Sequence, residues 1–240
     1  MSHLCLTGVG GGGGFTPLQL PNLIRWHYPS NLTSLWQDSA RTTPATQESD
    51  PVGACDDLSG NGRHFLQATS TKRFTLDLSY TGAYHAIYPD NSDDTLTDTT
   101  FNEAANEIWY IVAAIQREGS AGIGQNIFST TQRLVFEQGN NNQYEQYAGS
   151  TLSSGITVPV SRTIKLIKTT WAGASSLVRI NSTNGSTGNA GSGAGTNQSI
   201  GIGGGQPKCS LRYLEIVCVS SITAANNTLL VDYLNRLGPA

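Results

Sequence analysis

The sequence predicts an all-β protein: a jelly-roll sandwich of two antiparallel sheets, with a short C-terminal helix and an extended Gly-rich N-terminal arm. Three observations predict it. Short apolar runs of alternating pattern are separated by turn residues, and the 27 glycines supply the positive φ that such turns need. One run, Ile108-Trp109-Tyr110-Ile111-Val112-Ala113-Ala114-Ile115, is almost continuously apolar and rich in β-branched and aromatic side chains, as a strand covered on both faces must be. Only near the end does the apolar period change from two residues to three and four, at Leu229, Leu230, Tyr233, Leu234 and Leu237. At 240 residues the chain suits one sandwich, read as an arm over 1–19 and a domain over 20–240.

In chain order, residues 8–14 are Gly-Val-Gly-Gly-Gly-Gly-Gly, whose backbone entropy opposes folding alone, so they form a flexible arm or one ordered only by a partner. Residues 8–13 also fit G-x-G-x-x-G, but no strand precedes them and no helix follows, so dinucleotide binding is not expected. Residues 20–28 begin the core, with Trp26 and Tyr28 on one side of a strand. Residues 31–57 are polar and turn-rich and read as a long ordered loop over one sheet face, anchored by Trp36 and Val52. After the Ser59-Gly60-Asn61-Gly62 turn, strands are expected at 65–67, 73–78 and 83–88, before a turn at 89–94. Beyond the apolar run, 127–129, 133–137, 143–147, 162–170 and 177–180 continue at hairpin spacing. Residues 183–199 are low-complexity Gly/Asn/Ser and read as a mobile hairpin tip or surface loop. Two more strands follow at 200–203 and 211–219, the second with Leu211, Tyr213, Glu215 and Val217 on one face and Leu214 and Ile216 on the other. Thr223 caps the final helix and Gly238-Pro239 stop it.

With 13% charged residues and a formal net charge of -3, the chain carries no electrostatic footprint for nucleic acid or an anionic membrane. No apolar run reaches the roughly 18 residues of a membrane span. The start, Met1-Ser2-His3-Leu4-Cys5-Leu6, lacks the basic and apolar regions of a signal peptide, so synthesis in a cytoplasm is expected. Cys5, Cys55, Cys209 and Cys218 contain no C-x-x-C pair and read as reduced thiols, although Cys209 and Cys218 could pair across a strand end.

The series Thr33-Ser34-Leu35-Trp36-Gln37-Asp38, Thr42-Thr43-Pro44-Ala45, Asp50-Pro51-Val52-Gly53 and Asp57-Leu58-Ser59-Gly60-Asn61-Gly62-Arg63-His64 resembles the concanavalin A-like, laminin-G-like domains of bacteriophage virion proteins. The 90–94 turn, the 108–116 strand and the ending Asp232-Tyr233-Leu234 extend the likeness over roughly 20–238. The chain departs from that pattern after Trp26, where His27-Tyr28 stand in place of an acidic residue. The resemblance implies a concanavalin A-like fold and a non-enzymatic virion structural protein, a capsid decoration or tail fibre subunit. It further implies other virion proteins as partners and a homo-oligomer, with a trimer as the form suggested by analogy. Docking would use the arm through Leu4, Leu6, Gly10 and Phe15. The alternative is a host-surface glycan-binding module, and a second alternative is a polysaccharide hydrolase.

Hydrolysis on such a sandwich needs two carboxylates roughly 5 to 10 Å apart. Glu103 and Glu107 precede the main strand among Asn and Ala, and Glu215 is isolated on its own strand, so no catalytic set is expected. There is no G-x-S-x-G elbow, and His3, His27, His64 and His85 show no partner spacing. Calcium is the one cofactor weighed, at Asp90, Asp93 and Asp94, because a hard cation wants several oxygens from one turn. A glycan site needs aromatic platforms beside amides, and Trp36, Asn141, Tyr144, Tyr147 and Trp171 are its candidates.

Overall fold

The structure, a computed structural model, describes residues 14–80, 83–89, 93–102, 107–117, 125–130, 134–138, 142–191, 193, 195–201 and 209–239. It is the expected jelly-roll sandwich. The first sheet runs β16 (Thr183–Gly188), β15 (Ser176–Ile180), β14 (Thr163–Thr170), β9 (Ile108–Arg117), β18 (Cys209–Val219), β7 (Ala86–Tyr88), β6 (Phe74–Asp77) and β3 (Pro51–Val52), with β1 (Leu23–His27) also paired to β18. The second runs β13 (Thr151–Thr157), β12 (Gln143–Tyr147), β11 (Leu134–Gln138), β10 (Gln125–Ser129), β17 (Thr196–Gly201), β8 (Thr95–Asn102), β5 (Phe65–Leu66), β4 (Ala54–Cys55) and β2 (Leu35–Trp36). Every pairing among these strands is antiparallel.

Strand β9 is the centre of the first sheet, paired along its length with β14 and β18 and buried from Trp109 to Ile115. Its alternate residues divide two apolar clusters. Trp109, Ile111, Ala113 and Ile115 face the second sheet, where Phe65, Phe128, Tyr144 and Ile200 meet them. Tyr110, Val112 and Ala114 face outward, under α1 (Ala224–Asn235) with its Leu230 and Leu234. The helix starts where expected, with Thr223 accepting from Asn226 N–H.

Strand β18 departs from strict alternation. A bulge lies between Tyr213 and Glu215, so Leu214 is the extra residue opposite β9. Leu211 and Tyr213 point between the sheets, and so do Ile216 and Cys218, while Leu214 and Val217 turn towards the helix. The expected face of Leu211, Tyr213, Glu215 and Val217 is therefore split. The bulge sits where the edge of β18 passes from β7, at Tyr213, to β1, at Ile216.

Two segments read as loops are built into the sheets instead. Residues 31–57 contribute β2, β3 and β4, and the aspartates of the quoted series tie their turns. Asp38 accepts from the N–H groups of Thr42 and Thr43, Asp50 from those of Thr46 and Gln47, and Asp57 from those of Trp26, Ser59 and Arg63. Residues 183–199 are not a hairpin tip: they hold β16 and the start of β17. Gly191, at φ 93°, lies so close to the end of β12 that a Cβ there would come within 1.8 Å of the Ala148 carbonyl oxygen. The turn between β16 and β17 is thereby pinned beside β12.

The arm also ends earlier than expected. Phe15 packs edge-to-face on Tyr233 at 5.9 Å, and Pro17 is buried in a 3-10 turn, so residues 15–19 belong to the domain's packing. Leu4, Leu6 and Gly10 lie outside the described residues. Cys55 and Cys218 are both fully buried.

Between the sheets, Arg25 donates to Asp98 at 2.6 Å with both side chains buried, and His27 lies beside them against Phe65. Burial, and secondly the Arg25 charge, bring the His27 imidazole down to about 3 from 6.5. The folded protein thus binds this proton less readily than the unfolded chain. The contribution of neutral His27 is complete above about pH 6.5 and is lost as pH falls towards 3. Urea midpoints should fall between pH 6.5 and 4, and His27→Phe should flatten that fall, whereas an unchanged pH profile in His27→Phe would refute the assignment.

Candidate functional site

The helix covers the first sheet, and the two apolar clusters occupy its two faces. The outward face of the second sheet carries neither. Its register shows an unbroken cross-strand row. Trp36 pairs with Ala54, Ala54 with Leu66, Leu66 with Thr97, Thr97 with Ser199, Ser199 with Ser129, Ser129 with Leu134, Leu134 with Tyr147 and Tyr147 with Thr151. Their strand neighbours Leu35, Cys55, Phe65, Leu96, Ile200, Phe128 and Ala148 all point into the inter-sheet core. Period-two alternation therefore turns Trp36, Leu66, Thr97, Ser199, Ser129 and Tyr147 of this row to the outside.

Two aromatics singled out in the sequence, Trp36 and Tyr147, stand near the ends of this row, each half-buried. Strand spacing puts them about 30 Å apart along the sheet. Between them the row offers hydroxyls: Thr97 and Ser199 share a hydrogen bond at 2.8 Å, and Ser129 follows. Leu66 is exposed within it. Rings that can stack on the apolar faces of a pyranose, with hydroxyls between them, suit a neutral carbohydrate chain.

The Trp36 end carries a polar cluster. Asp56 accepts from Trp36 Nε1 at 2.8 Å and from Arg41 at 3.2 Å, and lies 3.0 Å from His64 Nδ1. His64 Nε2 faces Arg41 at 3.1 Å. The backbone N–H of Asp57 donates to His64 Nδ1 at 3.1 Å and holds the ring in the cluster. Arg41 is held at φ 60°, a left-handed conformation that a non-glycine residue adopts at some cost. Together these contacts fix the indole edge and leave the ring half-exposed.

Other sequence candidates are placed differently. Tyr144 and Trp171 are fully buried in the inter-sheet core and cannot serve as platforms. Tyr144 is one residue out of phase with the outward positions of β12, and Trp171 follows the end of β14 and packs against Phe128 at 5.8 Å. Asn141 lies outside the described residues. The calcium turn is not assembled among them: Asp93 is exposed and paired with Lys72 at 3.1 Å, Asp94 is buried, and Asp90 is outside the described residues. Among the described residues no three His, Cys, Asp or Glu side chains could hold one metal ion.

The carboxylates weighed for hydrolysis are equally scattered. Glu215 is buried under the helix, accepting from Trp26 Nε1 at 2.7 Å and from Arg236 at 2.7 Å. Burial raises its carboxyl above the ordinary range against the pull of Arg236 and Trp26. Glu107 is buried at the start of β9, and Glu103 lies outside the described residues. A residue missed in the sequence is Glu145, which shares the outward side of β12 with Tyr147 and is buried in the next row, opposite Phe136 and Ser153. Its period-two spacing from Tyr147 was the available signal. Neither residue paired with it, Phe136 or Ser153, is a second carboxylate.

No known protein family matches the chain, and no curated protein does. Solved structures do match in fold. A Trypanosoma rangeli sialidase in complex with sialic acid aligns with 92% of this chain and 34% of its own, at TM-score 0.54 and 8% identity. A botulinum neurotoxin type C structure, titled for cell entry dependent on two ganglioside molecules, aligns with 89% of this chain and 51% of its own, at TM-score 0.56 and 9% identity. The binding domain of botulinum neurotoxin serotype D/C gives 0.55 and 8%, over 89% of this chain and 52% of its own. The chain thus spans a third to a half of the structures it resembles, and the likeness is one of fold.

The two classes of aromatic residue should separate by mutation. Trp171→Ala should destabilise the domain by about 3–5 kcal/mol in urea unfolding, and Tyr147→Ala by under about 1 kcal/mol. Equal losses would show that Tyr147 is a core residue.

Proposed function

We propose that this chain is a carbohydrate-binding module and that the outward row from Trp36 to Tyr147 is its binding surface. The observation that carries the reading is the register itself, which brings two half-exposed aromatics and a line of hydroxyls onto the sheet face without a helix. The sialic acid bound to the sialidase and the gangliosides on which the neurotoxin depends support a saccharide as the class of ligand. A ring stacked on a sugar contributes about 1 kcal/mol or more beyond area burial, so two platforms on one chain of sugars bind more tightly than either alone.

Display on a virion is a second reading, resting on the resemblance of the 33–64 series. One observation favours attachment through the preceding arm. Phe15 joins the domain on the helix side, against Tyr233, so an anchor there leaves the opposite sheet face pointing away. Host-surface glycans would then be the target.

Binding to an array of bacterial and animal oligosaccharides should be saturable. Trp36→Ala and Tyr147→Ala should each weaken the best ligand about tenfold with the urea midpoint of Tyr147→Ala nearly unchanged. Unaltered affinity in both variants would remove the row from the account.

A further inference from the structure

Beside the helix, the outward face of the first sheet carries two cations side by side. Lys168 on β14 and Arg179 on β15 are directly opposed in the register. Both point outward, since Ile167, Val178 and Ile180 next to them lie in the inter-sheet core. Residues so placed have Cβ atoms about 5 Å apart, and like charges there repel. No acid relieves them: among the described residues neither forms an ion pair with a carboxylate. The contacts that they do make leave donors over. Lys168 Nζ donates to Asn227 Oδ1 on α1 at 2.7 Å and lies 5.3 Å from the centre of the Tyr110 ring. The Tyr110 hydroxyl donates to the same oxygen at 2.7 Å, so the amide of Asn227 keeps its Nδ2 for another acceptor. Arg179 donates through Nε to the Asn181 carbonyl at 3.0 Å, which leaves the N–H groups of its two terminal nitrogens. Burial, and secondly the Arg179 charge, hold the Lys168 ammonium below its ordinary range.

From this arrangement we infer that Lys168, Arg179 and Asn227 form a binding site for a phosphate or sulfate group, on the first sheet beside α1. The donors decide the class of ligand. A tetrahedral oxyanion presents oxygens in several directions, and an ammonium, a guanidinium edge and an amide can each donate to one. Its negative charge stands where a carboxylate partner is missing, so the repulsion across the Lys168–Arg179 pair becomes attraction to one shared ligand. The Tyr110 hydroxyl fixes the Asn227 amide, which lessens the side-chain ordering that binding requires. In a chain of net charge -3, two adjacent cations without acids are a local exception to the general balance. The group can be a free ion or an ester on a saccharide, and the chemistry of recognition is the same for both.

The site lies on the other sheet from the Trp36–Tyr147 row, and the test keeps the two apart. Sodium phosphate, glucose 6-phosphate and glucose are titrated at low ionic strength into the isotope-labelled chain, as wild type, Arg179→Gln, Arg179→Lys and Trp36→Ala, with backbone amide NMR as the readout. Both phosphate compounds should saturate, with the largest shift changes at Lys168, Arg179 and Asn227, and glucose should leave these three amides unmoved. Arg179→Gln should weaken both compounds about tenfold, the size of one lost charge-assisted contact, and Arg179→Lys should recover part of that loss. Trp36→Ala should change neither affinity. Tighter binding of the sugar phosphate than of phosphate upholds the site with an ester on a saccharide as its ligand, and equal binding upholds it with the free ion. No saturable change with either compound, or affinity that is unaltered in Arg179→Gln, overturns the site and leaves the row standing. Phosphate affinity lost in Trp36→Ala would equally overturn it, since the anion would then sit on the other sheet.

Discussion

The sandwich is organised around a charge that has no business in a core. Arg25 is fully buried between the sheets, and removing a guanidinium from water costs several kcal/mol unless it is well paired. Asp98 meets it at 2.6 Å from the opposite sheet, and the rings of Phe65 and Trp109 lie against it at 4.8 and 5.2 Å. The pair joins β1 to β8 and so clamps one sheet on the other. It has a second effect. With Asp98 committed inward, Thr97 must point outward, and through Thr97 the whole row from Trp36 to Tyr147 is set in register.

A second buried carboxylate decides which sheet is covered. The bulge at Leu214 turns Glu215 under the helix, where Trp26 and Arg236 donate to it. Arg236 lies over the Tyr233 ring at 3.6 Å, and Phe15 packs edge-to-face with the same ring. The chain end and the first described residues are therefore fastened to the outward face of the first sheet. The second sheet keeps its outward face for other use.

The parts legible in the sequence were those specified by neighbouring residues. The Ile108 strand, the final helix with its Thr223 cap, and the hairpin strands at 143–147 and 176–180 follow local periodicity and match closely. What misled was non-local. Whether Tyr144 or Tyr147 faces solvent depends on which partner strand fixes the phase, and the Leu214 bulge depends on β1 and β7 sharing one edge of β18. Residues 31–57 read as a loop, but the oxygens of Asp38, Asp50 and Asp57 accept from backbone N–H groups and tie its turns between short strands. The segment at 183–199 has the composition of a loop, yet it forms strands because β15 and β8 offer unpaired edges to it. Of the candidate site, Trp36 and Tyr147 were visible as residues, while the row that joins them arises only from the register of nine strands.

The most direct test of that row is a backbone amide NMR titration with the best oligosaccharide ligand. The account predicts that the largest shift changes fall on Trp36, Leu66, Thr97, Ser129, Ser199 and Tyr147. Changes confined to α1 and the strands beneath it, with this row silent, would contradict it.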